Sequence, residues 1–196
     1  NGVLHDFDCF VSLPKTKRHY GAGITNSMKM MIGSVPLSVY KKGGAWREKL
    51  HSGPNGENAN SYEGLASLVR TIVDLNKIRP IHLAVCDAIK TADNGEGPWN
   101  SGFEPIEYDT LITSKDPVAA DAIGTQLMGW DPTAADTEGP FSYKSLPSRW
   151  GKSEATGEYM GTDNYLRIAE EQGLGIHDPA QIQVIDATIN TRVEMH

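Results

Sequence analysis

The chain has 196 residues, 39% apolar and 22% charged, enough for one hydrophobic core and short of the length that calls for several domains. Its formal charge of −7, from 25 acidic against 18 basic residues, argues against a general nucleic-acid binder, which needs many phosphate-neutralising cations. No apolar run approaches the roughly 20 residues that span a bilayer, and two cysteines are too few for the four thiolates of an iron–sulfur cluster. We therefore expect a single domain over residues 1–196. Because the sequence opens Asn1, Gly2, Val3 rather than with Met, a missing upstream segment is also expected, which leaves localisation open between the cytoplasm and export.

In chain order, residues 9–13 read as a buried strand. Pro14 cannot donate a ladder hydrogen bond, so the chain is expected to leave the sheet there. Lys15, Lys17, Arg18 and His19 would then stand at a strand end, where ligands of open α/β sheets gather. Lys15 and Lys17 alternate, so in extended chain they face one way while Thr16 and Arg18 face the other. That pair suits a phosphate or carboxylate; a solvated basic turn is the competing reading. Residues 25–33 read as a short helix, capped by Thr25 or Asn26 and ended by Gly33 and Pro36. Lys29 falls among Met28, Met30 and Met31, where burial would lower its pKa, unless the side chain snorkels to solvent.

Residues 40–60 are polar and rich in Gly, so a long loop is expected, with His51 placed to close over the crevice. Leu65, Leu68, Val69, Ile72, Val73 and Leu75 then recur at helical spacing after a cap at Asn60 or Ser61. Residues 81–87 form a nearly continuous apolar run, the pattern of a strand covered on both faces. Asp87 would end it, where a carboxylate needs a cation, a metal or backbone donors. A Gly-rich loop over 91–102, a strand over 106–113 and a helix starting at Asp116 and Pro117 follow. Asp121 lies one and a half turns beyond Asp116, and if it faces inward it needs a partner, for which one of the lysines could serve. Residues 133–158 look irregular, 162–172 return to helix with Tyr165, Ile168 and Ala169 inward, and 182–185 read as a last strand. Strands alternating with helices predict an α/β fold: a mainly parallel sheet, flanking helices and long Gly-rich loops.

Cys9 and Cys86 both fall in expected strands, as buried hydrophobes or, if those strands are neighbours, as a disulfide. Trp99, Phe103, Trp130, Phe141, Tyr143 and Trp150 supply either a ligand wall or ordinary packing beneath loops. His5 and His82 read as structural, and His177 and His196 carry no signal. There is no phosphate loop, dinucleotide fingerprint, zinc-protease helix or nucleophile elbow.

Taken together, several pieces form one pattern: Asp8, Pro14, Lys15, Lys17 and His19; Thr25, Lys29 and Gly33; Asp74 to Asn76; Ala84 to Asp87; Gly97-Pro98; Asp116 to Ala119 with Asp121; and Glu170 with Gly173 to Gly175. This pattern resembles the domain of unknown function 362 family. Its members are often associated with iron–sulfur proteins, which implies a ferredoxin-like partner or domain, although this chain has too few cysteines for a cluster of its own. His19 and Lys29, with Gly21 and Gly23 between them, are also distantly similar to a segment of lactate racemase-type proteins. That likeness implies an acid/base role for His19 and a cofactor-holding role for Lys29.

Two functional expectations follow. One is an enzyme of proton-transfer or redox-linked chemistry, whose pocket takes an anionic small molecule or a metal-bearing cofactor. In it His19 and Lys29 would be catalytic, and Lys15, Lys17, Thr25, His51 and Asp87 would hold the ligand. The other is a non-catalytic module that binds a ligand or a ferredoxin-like partner.

Overall fold

The computed structural model describes residues 6–41, 47–51, 62–93, 95–98, 103–142 and 161–186. Its elements run β1 (Val11–Ser12), β2 (Lys15–His19), β3 (Gly23–Thr25), α1 (Leu37–Tyr40), α2 (Tyr62–Ile78), β4 (Leu83–Asp93), β5 (Glu104–Ser114), α3 (Pro117–Leu127) and α4 (Tyr165–Glu171). The strands form one mixed five-stranded sheet, and with the helices they make an α/β fold. β1 and β2 run parallel to β4, while β3 is antiparallel to β2 and β5 antiparallel to β4.

Since β5 pairs with β4 from Ala84 to Asp93, β1 and β2 must follow one another along the other edge of β4. Pro14 therefore interrupts the strand without ending it. Its carbonyl still accepts from the Asp87 N–H at 2.8 Å, and ladder pairing resumes at Lys15 opposite Asp87. Proline lacks only the donor, so a strand can pass through it wherever the N–H is not needed. The cations of 15–19 lie within a strand, not beyond one.

Asp87 is corrected in the same way. β4 continues six residues past it, to Asp93, so the carboxylate is mid-strand and the following loop starts later than residue 91. As far as Ile89 the strand is also buried on one face only. Ala84, Cys86 and Ala88 are buried, while Asp87 is half-buried and Ile89 is exposed, the alternation of a sheet with one wet face. Leu13, Ile89 and Leu111 remain largely exposed on that open side.

The covered face carries the core. Ala84, Cys86 and Ile112 pack against Ala120 of α3, and a larger cluster joins Ile24, Met28 and the apolar stripe of α2 to Val118, Ala122, Phe141, Tyr165 and Leu166. Leu65, Leu68, Val69, Ile72 and Val73 are all buried, as their spacing predicted; the expected caps Asn60 and Ser61 lie outside the described residues. Asp116 caps α3 by accepting from the N–H groups of Val118 and Ala119 at 2.8 and 2.9 Å, with Pro117 in the first turn. α4 is shorter than 162–172, with Tyr165 and Ala169 buried and Ile168 partly so. In place of the helix over 25–33 there is a 3-10 segment, Met28–Ser34.

Two further expectations fail. Residues 182–185 make no strand: Ile182 packs against the core, while Val184 and Ile185 are exposed and pair with no strand of the sheet. Cys9 is exposed rather than buried, and both cysteines are free thiols. Of the six loop aromatics, Phe141 sits in the core edge-on to Tyr165, Trp130 lies 4.2 Å from the fully buried Arg18 guanidinium, and Phe103 is half-buried. Trp99, Tyr143 and Trp150 fall outside the described residues, as do His5 and His196. His82 accepts from the Phe10 N–H, and His177 pairs with Glu170.

Candidate functional site

β2 sorts its side chains as its alternation requires. Thr16 and Arg18 are fully buried on the helix side, whereas Lys15, Lys17 and His19 form the opposite row. Opposite Lys17 on β3 is Thr25, and directly paired residues of antiparallel strands share a face. Thr25 is buried, and its hydroxyl makes no hydrogen bond among the described residues.

The turn from β2 into β3 shapes His19. The N–H groups of Gly21 and Ala22 both donate to its Nδ1, at 2.9 and 3.1 Å, which leaves the ring proton on Nε2. Protonating Nδ1 would cost those two bonds. Burial first, then the charges of Lys29, His51 and Lys17, hold the imidazole well below its usual range, so it is neutral at pH 7. α2 fixes this turn: a Cβ on Gly21 would come within 2.8 Å of Leu65. On the far side, Nε2 lies 3.3 Å from Glu96 Oε1, which also accepts from the Tyr20 N–H at 2.9 Å. The Glu96 carbonyl takes a 2.9 Å bond from Lys17 Nζ. Burial and the nearby Glu96 charge push the Tyr20 phenol upward.

Lys29 enters on the 3-10 segment. Its ammonium makes no hydrogen bond or ion pair among the described residues, and the side chain is half-buried. Burial lowers its pKa to about 8, helped by the Lys17 charge and opposed by Glu96. His51 follows the short 3-10 turn Glu48–Leu50; its Nδ1 lies 3.1 Å from the Arg47 carbonyl, and burial lowers its pKa to about 4. The long loop was expected to bring His51 to the crevice, and His51 is within electrostatic reach of both His19 and Lys29, whereas residues 42–46 and 52–60 lie outside the described residues.

The backbone that carries Lys29 is fastened from the protein interior. Asp121 of α3, fully buried, accepts from the N–H groups of Ser27 and Met28 at 2.7 and 3.1 Å and from the Tyr165 hydroxyl at 2.9 Å. Asn76 of α2 donates to the Met28 carbonyl at 3.0 Å, and the Ser12 hydroxyl to the Ser27 carbonyl at 3.0 Å. The partners of Asp121 are thus backbone donors and a phenol, not one of the lysines. Burial raises its pKa to about 7, against those hydrogen bonds.

Lys17, Thr25, His19, Lys29 and His51 accordingly belong to one cluster. Lys15 and Asp87 belong elsewhere: they form a 2.5 Å ion pair on the open face, with side chains 43% and 41% exposed, and Lys15 also reaches the Lys90 carbonyl. That pair, with the Ile89 N–H, holds the Asp87 carboxyl below its ordinary value. Glu96 was missed in sequence. Its one signal is an acid in the Gly95, Gly97, Pro98 turn, and nothing in that pattern announces a return to β2.

The family profile of the domain of unknown function DUF362 matches residues 1–126. The chain belongs to this family. The match takes in every residue of the cluster and Asp121, and it ends before α4 and the Glu170 to Gly175 segment. No curated protein and no solved structure matches the chain. The roles suggested by the lactate racemase likeness therefore rest on the positions around His19 and Lys29 alone. Among the described residues, no group of three His, Cys, Asp or Glu side chains could hold a metal ion. An iron–sulfur cluster does not fit this chain, whose two cysteines are one exposed and one buried.

Proposed function

We propose that this member of the DUF362 family binds an anionic small molecule at Lys17, Thr25 and Lys29 and moves a proton on it with Lys29, while His19 offers a hydrogen bond from Nε2. The observation that carries this reading is a half-buried Lys29 and a buried Thr25 hydroxyl, across the ladder from Lys17, neither of which has a hydrogen-bond partner among the described residues. Buried polar groups ordinarily find partners, and an oxyanion would supply acceptors to both. With its pKa near 8, Lys29 exchanges a proton close to neutrality, as a general base or acid requires. His19 presents Nε2–H as a neutral donor beside Glu96, and Lys17 stabilises negative charge as it develops.

Calorimetric titration with oxalate and with inorganic phosphate tests the reading. At least one should bind the wild type, and Lys29→Ala and Lys17→Ala should each weaken it by tenfold or more. If neither anion binds, or if both variants bind as the wild type does, the reading is wrong.

A second reading, a partner-binding module, is favoured by the open sheet face, where Leu13 is 67% and Leu111 55% exposed. Co-sedimentation with an added ferredoxin, lost in Leu13→Glu and Leu111→Glu, would support it. Absence of co-sedimentation with the wild type removes it.

A further inference from the structure

Lys29 has the surroundings of an amine that reacts with a carbonyl. It is half-buried and makes no hydrogen bond or ion pair among the described residues, and a second ammonium, Lys17, stands close enough for their charges to interact. Desolvation and a neighbouring cation are the two devices that keep a lysine amine neutral and nucleophilic. Its backbone is also held in place. Asp121, Asn76 and Ser12 fix the peptide groups of Ser27 and Met28 immediately before it, which limits where the amine can swing. Lys17 and Thr25 sit together on adjoining strands and offer an ammonium and an unsatisfied hydroxyl, the donors a carboxylate takes up. A 2-oxo acid carries both of the groups this set would take up, a carbonyl for the amine and a carboxylate for the donors.

Resting on the anion-binding reading above, we propose that the site takes a 2-oxo acid and that Lys29 Nζ forms an imine with its carbonyl carbon, while Lys17 and Thr25 hold the carboxylate. The Nζ lone pair forms the N–C bond as the carbonyl π bond breaks onto oxygen. One proton passes from nitrogen to that oxygen, giving a carbinolamine. The hydroxyl then takes up a proton from solvent and departs as water while the nitrogen lone pair closes the C=N bond, and the nitrogen keeps its second proton, so the imine is formed as a cation. No electrons are gained or lost, and water is the only by-product. His19, neutral and with Nε2 3.3 Å from Glu96 Oε1, supplies a hydrogen-bond donor beside this charge cluster and not the proton itself. The imine places a cationic nitrogen next to the carbon skeleton, so a proton or carboxylate lost from the neighbouring carbon leaves its electron pair stabilised.

The test is reductive trapping on the whole chain. The protein is incubated with pyruvate and borohydride, digested and mapped by mass spectrometry, with oxalate binding measured in parallel. The expected result is one dominant adduct on Lys29, equal in mass to pyruvic acid less one oxygen atom. It should exceed any adduct on the exposed Lys15 by at least tenfold and be suppressed by excess oxalate. Lys29→Arg, which keeps a cation at the position, should lose the adduct but keep oxalate binding to within a few-fold. Mapping the wild type needs no variant, so misfolding of a mutant cannot blur the result. Oxalate binding that depends on Lys17, without a Lys29 adduct, would overturn the imine and leave the anion site standing. Adducts spread evenly over surface lysines would overturn it as well. Absence of both binding and adduct would overturn both readings.

Discussion

Two lysines in the outward row of β2, two residues apart, meet opposite circumstances. Lys15 pairs with Asp87 on the open sheet face, where water screens both charges and the bond is a surface ion pair of small net worth. Lys17 reaches the Glu96 carbonyl under the turn that also holds His19, next to Lys29 and the unsatisfied Thr25 hydroxyl. The same residue type at the same strand periodicity becomes ordinary surface in one place and part of an electrostatic cluster in the other. Surroundings built from Gly95 to Pro98, the His51 turn and the 3-10 segment make the difference, and there His19, His51 and Lys29 are all lowered from their usual titration ranges, with burial as the first cause.

The largest expected effect lies beneath the enclosed half. Asp121→Asn puts an amide where three donors now converge, leaving at least one buried N–H or O–H unpaired. It should cost about 2–4 kcal/mol in denaturant unfolding and also shift the Lys29 titration seen by NMR. A Lys29 titration unchanged in the folded variant would show that the enclosure works without this anchor. Tyr165→Phe, which removes one donor and keeps the ring, should act in the same direction and less strongly.

A pH test comes next. The folded pKa of His51, about 4, lies below its unfolded value of 6.5, so its contribution to stability is present above pH 6.5 and is lost as pH falls toward 4. Asp121 runs the other way: its raised value, about 7, makes its contribution greatest in acid and lost as pH rises from 3.8 through 7. The wild-type slope is their sum, with His19 adding to the His51 side. Comparison with His51→Gln isolates one arm. The loss of stability between pH 7 and pH 5 should be smaller in that variant by about 2 kcal/mol. Equal slopes would place His51 in water rather than in the cluster.

The last two measurements set the lysines directly against each other. Lys17→Ala should weaken oxalate binding by tenfold or more, about 1.4 kcal/mol, whereas Lys15→Ala should change it less than twofold. In stability, Lys15→Ala should cost at most about 1 kcal/mol, falling further in high salt. A strong effect of Lys15 on oxalate binding would erase the distinction between the two halves.

Much of this was legible in the chain. The α2 stripe, the Asp116 and Pro117 start of α3, the alternation of Lys15 to Arg18 and the β5 segment follow from local periodicity and capping, and local rules hold wherever one face is buried. His19, Lys29 and His51 were readable as candidates by residue type and loop context. Pro14 misled because the donor it lacks was not needed at that position, so the strand passed through. Asp87 misled because the apolar run that was read as ending there continues through Ala88 and Ile89 as ladder, with one face in water.

The sequence by itself determined the class of fold, the residues able to carry charge, and the alternation that separates Lys15 and Lys17 from Thr16 and Arg18. These depend on neighbours within a few positions, whose geometry the backbone fixes. Tertiary structure alone decided which lysine is enclosed, that Glu96 returns to face His19, and that Asp121 holds the Lys29 turn from 93 residues away through the Met28 N–H. Titration depends on desolvation and on charges brought together from distant segments, and no local pattern encodes either.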